Sequence, residues 1–518
     1  MSIITLGLFS LFLEAWQAPV DGIDRTMAAA WLANGVRPER CDDLTYLRRV
    51  TLDLAGRIPT LDEARAFEKD ARPDKRALLV DRLLVSAECA DHWSRFWTPL
   101  YLGREADDRG REQFRLWLRD QLAANVSHRA LAEKLLAAAG KSDVNPAVHF
   151  VAAHLGTPTQ AGKEARDGQF DMLPITSRSI WLFLGTQIQC AQCHCHPFNV
   201  DWNQKHFWGI NAFFRQVGRN ERGGAIELRD NPELNAKGIV FFGQRNGVFL
   251  PAQPSFFDGR RIPAGAAGTR REHLARFITG HERFSQALVN RLWRQFLGRD
   301  LTARNEDDFG SHNEVVHPQL LEQLARDFSA AGHDVRQLVR WICASEVYQL
   351  KSSSPRADED AALLYLRRQV RPMSFDQLVG SILTASGAGK SLKPDEQQQL
   401  RAEWRDHLII RQADTKADDD AFRQPAVDPL MMIFWRMNNG SINAAIERLE
   451  LPADDRPESI IDTLYLTTLT RHPSDQESAA LIKKLAKELD QRQPEQRNLV
   501  WRDLFWALLN CKEFTDHR

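Results

Sequence analysis

Along most of the chain, apolar residues recur every three or four positions, the period of a helix with one buried face. In "CDDLTYLRRVTLDLAG" Leu44, Leu47, Val50 and Leu54 form one stripe, with Asp42 as N-cap and Gly56 as stop. The "TLDE" after Pro59 is a capping box: the Thr60 hydroxyl can accept from the backbone of Glu63, whose carboxylate reaches back. "PDKRALLVDRLLVS" and "ADHWSRFWTPLYLG" keep the same period until Gly103. Residues 140–175, rich in Gly, Pro and polar side chains, read as a long irregular connection, a kind of segment that often carries function. "TSRSIWLFLGTQIQ" then predicts a helix striped by Ile180, Leu184 and Ile188 that delivers the chain to Cys190. Pro197 ends any continuation, and Asn203 caps a following helix that buries Phe207, Ile210 and Phe214.

The pattern changes over residues 224–263, where β-favouring runs flank Asn246-Gly247, a strong hairpin signal. From Thr269 the helical period returns, through "FSQALVNRLWRQFLG", "PQLLEQLARDFSAAG" and "VRQLVRWICASEVYQ". Residues 387–428, with "DTKADDDA" inside them, are polar and poorly periodic and read as including a mobile surface loop. No fixed-period repeat is present. The expectation is a mainly α, multi-helical, two-domain protein with a small β insertion between the halves: helical residues 21–222, a β-rich 223–268, and helical 269–518.

Length and charge refine this picture. At 518 residues the chain exceeds what one core usually fills. Its net charge of −1 from evenly mixed signs gives no argument for a nucleic-acid partner or an anionic membrane. Fourteen Trp and 27 Phe against five Tyr suggest thick apolar contacts between helices, or aromatic platforms for a ligand. The N-terminus has an apolar run from Ile3 to Leu13, long enough for the core of a signal peptide over residues 1–20. No basic residue precedes it and Glu14 interrupts its end, so a buried first helix is the competing reading. No later segment has the length of uncharged apolar sequence needed to span a bilayer.

Candidate chemistry concentrates in "GTQIQCAQCHCHPFNVDWNQKHFWGINAFF". Cys41, Cys89, Cys343 and Cys511 stand singly in apparent helices and read as small apolar side chains; only Cys190, Cys193 and Cys195 cluster. C-x-x-C-H is the attachment pattern of c-type haem. Thiols three residues apart on one turn reach the two vinyl groups of a porphyrin, and the adjacent histidine becomes the axial ligand. The residues would be Cys190, Cys193 and His194, with Met172 and His206 nearest in sequence for the sixth position. Zinc is an alternative, held by Cys190, Cys193, Cys195 and His196. Four ligands so close strain a tetrahedron, so a partner such as His149, His154 or His206 would be needed. A Cys190–Cys193 or Cys190–Cys195 disulfide is the third reading. Elsewhere, Asn290, Arg291 and Trp293 read as helix-to-loop ties, Asp307 and Asp308 as a capping turn in preference to a cation site, and His317 as a cap. No Ser-His-Asp set, phosphate loop or nucleotide fingerprint is present, and no catalytic residue is assigned.

"LRRVTLDLAGRIPTLDEARAFEKD", "LVDRLLVS" and "CAQCHCHPFNVDWNQKHFWGINAFF" resemble the planctomycete cytochrome-associated domain of unknown function. "FSQALVNRLWRQFLGRDL", "EDDFG", "HPQLLEQLARDF" and "LVRWICASEVYQLKSS" are similar to its planctomycete-specific companion, whose closing segment "LYLTTLTRHPSDQE" fits. Together they cover roughly residues 22–515. The resemblance implies an exported, periplasmic or extracellular protein whose relatives are often encoded near, or fused to, c-type cytochrome domains. It implies no particular activity. Its C-A-x-C-H-x-H-P-F motif falls on Cys190, Cys193, His194, His196, Pro197 and Phe198, with Cys195 at a variable position. The resulting expectation is haem c on Cys190, Cys193 and His194, with His196 beside it, for electron transfer or redox support with an extracytoplasmic partner. Against it stands a helical binding or scaffold protein, engaging a surface polymer or partner enzyme, in which Cys190, Cys193, His194 and His196 form a zinc or disulfide clamp.

Overall fold

A computed structural model describes residues 3–103, 108–199, 202–304, 307–353, 362–388, 393, 396–401, 446, 456–491 and 493–517. Most of the polar stretch 387–428, including "DTKADDDA", lies outside the described residues. The first helices are α1 (Ile3–Ala33), α2 (Asp43–Ala55), α3 (Leu61–Lys69), α4 (Lys75–Leu84), α5 (Ala87–Leu102), α6 (Asp108–Ala123) and α7 (His128–Leu136). Short α8 (Val148–Ala152) and α9 (Glu164–Asp167) precede α10 (Leu173–Leu184) and α11 (Gln204–Phe214). Next come α12 (Arg270–Thr279), α13 (Glu282–Leu297), α14 (Pro318–Ala330) and α15 (Val335–Ala344). The last described helices are α16 (Phe375–Ala385), α17 (Pro457–Leu469), α18 (Asp475–Gln491), α19 (Pro494–Leu509) and α20 (Lys512–Thr515). The protein is therefore mainly α, with sheets of two or three strands among the described residues, as the periodicity predicts. No described helix is long and apolar enough to cross a membrane.

The chain forms two compact units that interleave in sequence: Met1–Ala30 with Trp93–Ser345, and Trp31–His92 with Glu346–Arg518. In the first unit the predicted β segment is present. Strands β1 (Gly140–Lys141), β2 (Val217–Arg222) and β3 (Ala225–Asp230) form an antiparallel sheet in the order β1-β3-β2. Gly223 and Gly224, both at positive φ (61° and 77°), make the two-residue turn that pairs Arg222 with Ala225. Strand β4 (Val240–Gly243) pairs with β5 (Phe249–Ala252) around Asn246-Gly247, with Gly247 at φ 80°. Residues 140–175 are less irregular than expected, because β1, α8 and α9 lie within them. Arg271, fully buried, ties the sheet to the helices by pairing with Asp230 at 2.7 Å and donating to the carbonyls of Leu136 and Ala138.

The second unit is stapled by buried arginines from "LRRVTLDLAG". Asp42 and Gly56 cap α2 as predicted, Gly56 at φ 67°. The Thr60–Glu63 capping box on α3 is complete. Arg48 donates to the carbonyls of Thr468 and Phe514, each at 2.9 Å. Arg49 donates to those of Tyr348 and Leu350. Asp53, fully buried, pairs with Arg371 at 2.8 Å and Arg368 at 3.4 Å, and accepts from the Tyr348 hydroxyl at 2.8 Å. Burial and the two arginines hold His517, 3.4 Å from Asp53, in its neutral form. These bonds join strands β6 (Arg371–Pro372) and β7 (Asp516–His517) to α2, around an apolar core from α16, α17 and α19. Cys41 and Cys511 lie outside helices, unlike Cys89 and Cys343 on α5 and α15.

Asp53→Ala removes the buried carboxylate that Arg368, Arg371 and the Tyr348 hydroxyl share, so it should destabilise this unit by about 3–5 kcal/mol in urea unfolding. A loss below about 1 kcal/mol would show that the carboxylate does not organise the unit.

Candidate functional site

The Cys-His turn lies in the first unit. Helix α10 ends sooner than its apolar stripe predicts, because Gly185 adopts the left-handed conformation (φ 63°) and its N–H returns to the Trp181 carbonyl. A side chain there would also collide with the Phe309 ring, since a Cβ would sit 2.8 Å from it. The chain reaches Cys190 through the irregular segment 186–188 and a short 3-10 turn, Gln189–Gln192. The amides of Cys193 and His194 both point back to the Cys190 carbonyl at 3.4 Å, so the two thiols share one tight turn. Trp208 on α11 braces it from behind, its indole N–H donating to the Gln192 carbonyl at 3.1 Å.

Cys190, Cys193 and Cys195 are exposed free thiols. His194 is half-buried, with Nδ1 2.6 Å from the Cys195 carbonyl. Only a protonated Nδ1 can bond a carbonyl, so the lone pair of the neutral ring is on Nε2. His196 faces inward and is buried. Its Nδ1 accepts from the amides of Asn199 at 2.9 Å and Phe198 at 3.3 Å, and the ring also bonds the Gln187 carbonyl. Burial pulls its pKa down, so it is a neutral staple that folds the chain over Pro197.

A strap from the far half of the sequence forms the floor of this turn. Gln187 N donates to Asp308 Oδ1 at 2.8 Å, and Phe309 N donates to the Gly185 carbonyl at 2.7 Å. Asn199 Nδ2 donates to the Phe309 carbonyl at 3.2 Å, the Ser311 hydroxyl donates to the Phe198 carbonyl, and Asn313 closes the strap on the Asp308 carbonyl. Asp308 also meets His312 Nε2 at 3.1 Å. Burial pushes the Asp308 carboxyl up to about 6, although the Gln187 amide and His312 pull the other way. Asp307 instead pairs with buried Arg291 at 2.8 Å. Arg291 donates further to the Trp181 and Leu182 carbonyls at the end of α10. The two aspartates thus tie the strap to α13 and to the segment after α10 rather than capping the next segment. His317 occupies a cap position without a side-chain cap bond.

The other sequence candidates fall elsewhere. Met172 is fully buried at the start of α10, and His206 lies on the first turn of α11. His149 bonds Gln113 and His154 bonds the Tyr101 carbonyl, burial lowering the latter's pKa to about 4. Asn290 accepts from the Leu301 amide and Trp293 is fully buried, so both are structural. Among the described residues, no group of three or more His, Cys, Asp or Glu is placed to hold a metal ion. Asn199, Ser311, His312 and Asn313 have no sequence signal as site residues. The "EDDFG" string borders Ser311, His312 and Asn313, and Asn199 directly follows the Cys-His motif.

Two family models match the chain. Residues 22–219 match PSCyt2, a protein of unknown function (DUF1549), and residues 270–434 match PSD1, also a protein of unknown function (DUF1553). The chain thus carries these two domains of unknown function, in the order that the motifs predict. No curated protein and no solved structure matches it. The strap and the turn it supports come from the two different matched regions.

The elevated Asp308 pKa has a defined pH consequence. The folded state keeps this proton up to about pH 6, whereas the unfolded chain releases it near 3.8, so stability falls as pH rises between those values. Thermal unfolding should show wild type losing ground to Asp308→Asn over that window. Parallel profiles for the two proteins would contradict it.

Proposed function

We propose that this is an exported c-type haem-binding protein with an electron-transfer or redox-support role. Cys190 and Cys193 would carry the thioether links and His194 would be the axial ligand. The observation that carries the reading is the state of the donor set. Two exposed thiols share one turn, and the adjacent imidazole has Nδ1–H tied to the Cys195 carbonyl, which leaves the Nε2 lone pair as the ligand atom. A bound haem would supply one-electron chemistry at a potential tuned by its axial ligands and exposure.

The chain's own residues do the positioning. Trp208 and the Asp308–Gln187 bond fix both ends of the turn, and the His196 staple fixes its exit. Attachment would need no unfolding, because the sulfurs already face solvent. The zinc clamp is the less supported alternative. Four donors so close in sequence strain a tetrahedron, and the rings of His196, His149 and His154 already bond their own surroundings.

Expression with a secretion signal in a host that matures c-type cytochromes, followed by a pyridine-haemochrome spectrum of the denatured protein, tests the reading. One covalent haem per chain is expected. Cys195→Ser should retain both thioethers, and Cys190→Ser should retain one. Absence of covalent haem, with stoichiometric zinc by elemental analysis, would overturn the proposal.

A further inference from the structure

A second site in the first unit has no part in the haem reading. A cleft of about 470 Å³ opens between the β4–β5 hairpin and the 157–171 segment, within the usual size range of a small-ligand site. Its two walls differ in chemistry.

One wall is an apolar shelf. Phe241 and Phe249 are 58% and 70% exposed, high for phenylalanine and close together on one molecule. The register pairs Gly243 with Phe249 and Phe241 with Pro251, so both rings share one face of the hairpin. The Phe249 ring packs beside Gly243, within 3.6 Å of where a Cβ would sit. Phe242 points the other way, buried, its ring parallel to that of Trp208, which also lines the cleft.

The other wall is polar and braced from behind. Arg215 is 9% exposed. Its Nε donates to Asn211 Oδ1 and its Nη1 to the Asp167 carbonyl, both at 2.7 Å. Asn211 is itself anchored on Thr176 at 3.1 Å. These bonds leave Nη2 as the guanidinium nitrogen presented to the cleft. Asp171 uses Oδ1 to accept from the Leu173 amide at 3.0 Å, which leaves Oδ2 as an acceptor. Asp171 and Asp167 are close enough to counter the desolvation of Arg215. The lining charges balance, Arg166 and Arg215 against Asp167 and Asp171.

We propose that this cleft binds a neutral saccharide, one pyranose ring lying on the Phe241–Phe249 shelf with its hydroxyls bonded by Arg215 and Asp171. A pyranose has an apolar C–H face, which suits an aromatic shelf, and a rim of hydroxyls that both donate and accept. A fixed donor beside a fixed acceptor is complementary to two neighbouring hydroxyls. Balanced charge removes the electrostatic advantage that a sulfated or phosphorylated ligand would need. The proposal is independent of what occupies the Cys-His turn.

Affinity gel electrophoresis of the whole chain in laminarin, xylan and glucomannan, with dextran sulfate as the anionic arm, tests it. At least one neutral polysaccharide should retard the protein. Phe249→Ala, at an exposed position that spares folding, should weaken that retardation at least tenfold, and Arg215→Lys should weaken it with unchanged circular dichroism. Retardation by none of the three neutral polymers, stronger retardation by dextran sulfate, or equal retardation of wild type and Phe249→Ala would each overturn the proposal.

Discussion

The buried Arg291–Asp307 pair is the interaction on which the site's geometry depends. Its guanidinium holds the carbonyl end of α10 and the Asp307 carboxylate together, at the point where the chain leaves for the Cys-His turn. With Asp307 fixed, Asp308 is delivered to the Gln187 amide and Phe309 to Gly185. A buried pair of this kind adds little net stability against an apolar replacement, yet breaking it by removing one partner is expensive. That asymmetry makes it a device for specifying one geometry. The same logic recurs in the second unit, where Asp53 gathers Arg368, Arg371 and Tyr348.

The arrangement gives the two matched family regions a shared purpose. The turn is in the first and its floor is in the second, so neither region alone has the bonds that shape the site. It also separates roles within the motif. His194 is half-buried with one nitrogen spoken for, whereas His196 spends both nitrogens on local backbone. Trp208 links the turn to the aromatic cleft, since its indole both braces Gln192 and lines that cleft.

What the sequence made legible was local. The caps at Asp42, Thr60 and Asn203 and the hairpin around Asn246-Gly247 follow from bonds within a few residues, and all are present. The helix expected to run into Cys190 fails because the αL preference of Gly185 and the approach of Phe309 outweigh the apolar stripe. Asp307 and Asp308 depart from the expected capping role for a related reason. Their partners Arg291 and Gln187 are chosen by tertiary packing, which spacing along the chain does not encode. His312, Asn199 and Asn313 are ordinary polar residues until the strap folds against the turn, so no periodic or motif signal marks them.

Hydrogen exchange over residues 187–199 in wild type and Arg291→Lys tests most directly whether the strap sets the site. Lysine keeps the charge but loses the fork that binds Asp307 and two carbonyls at once. Loss of one charge-assisted bond, about 1.5–3 kcal/mol, should speed exchange in this segment at least tenfold. Helix α17 in the second unit should keep its protection. Unchanged exchange over 187–199 in a folded variant would contradict the account.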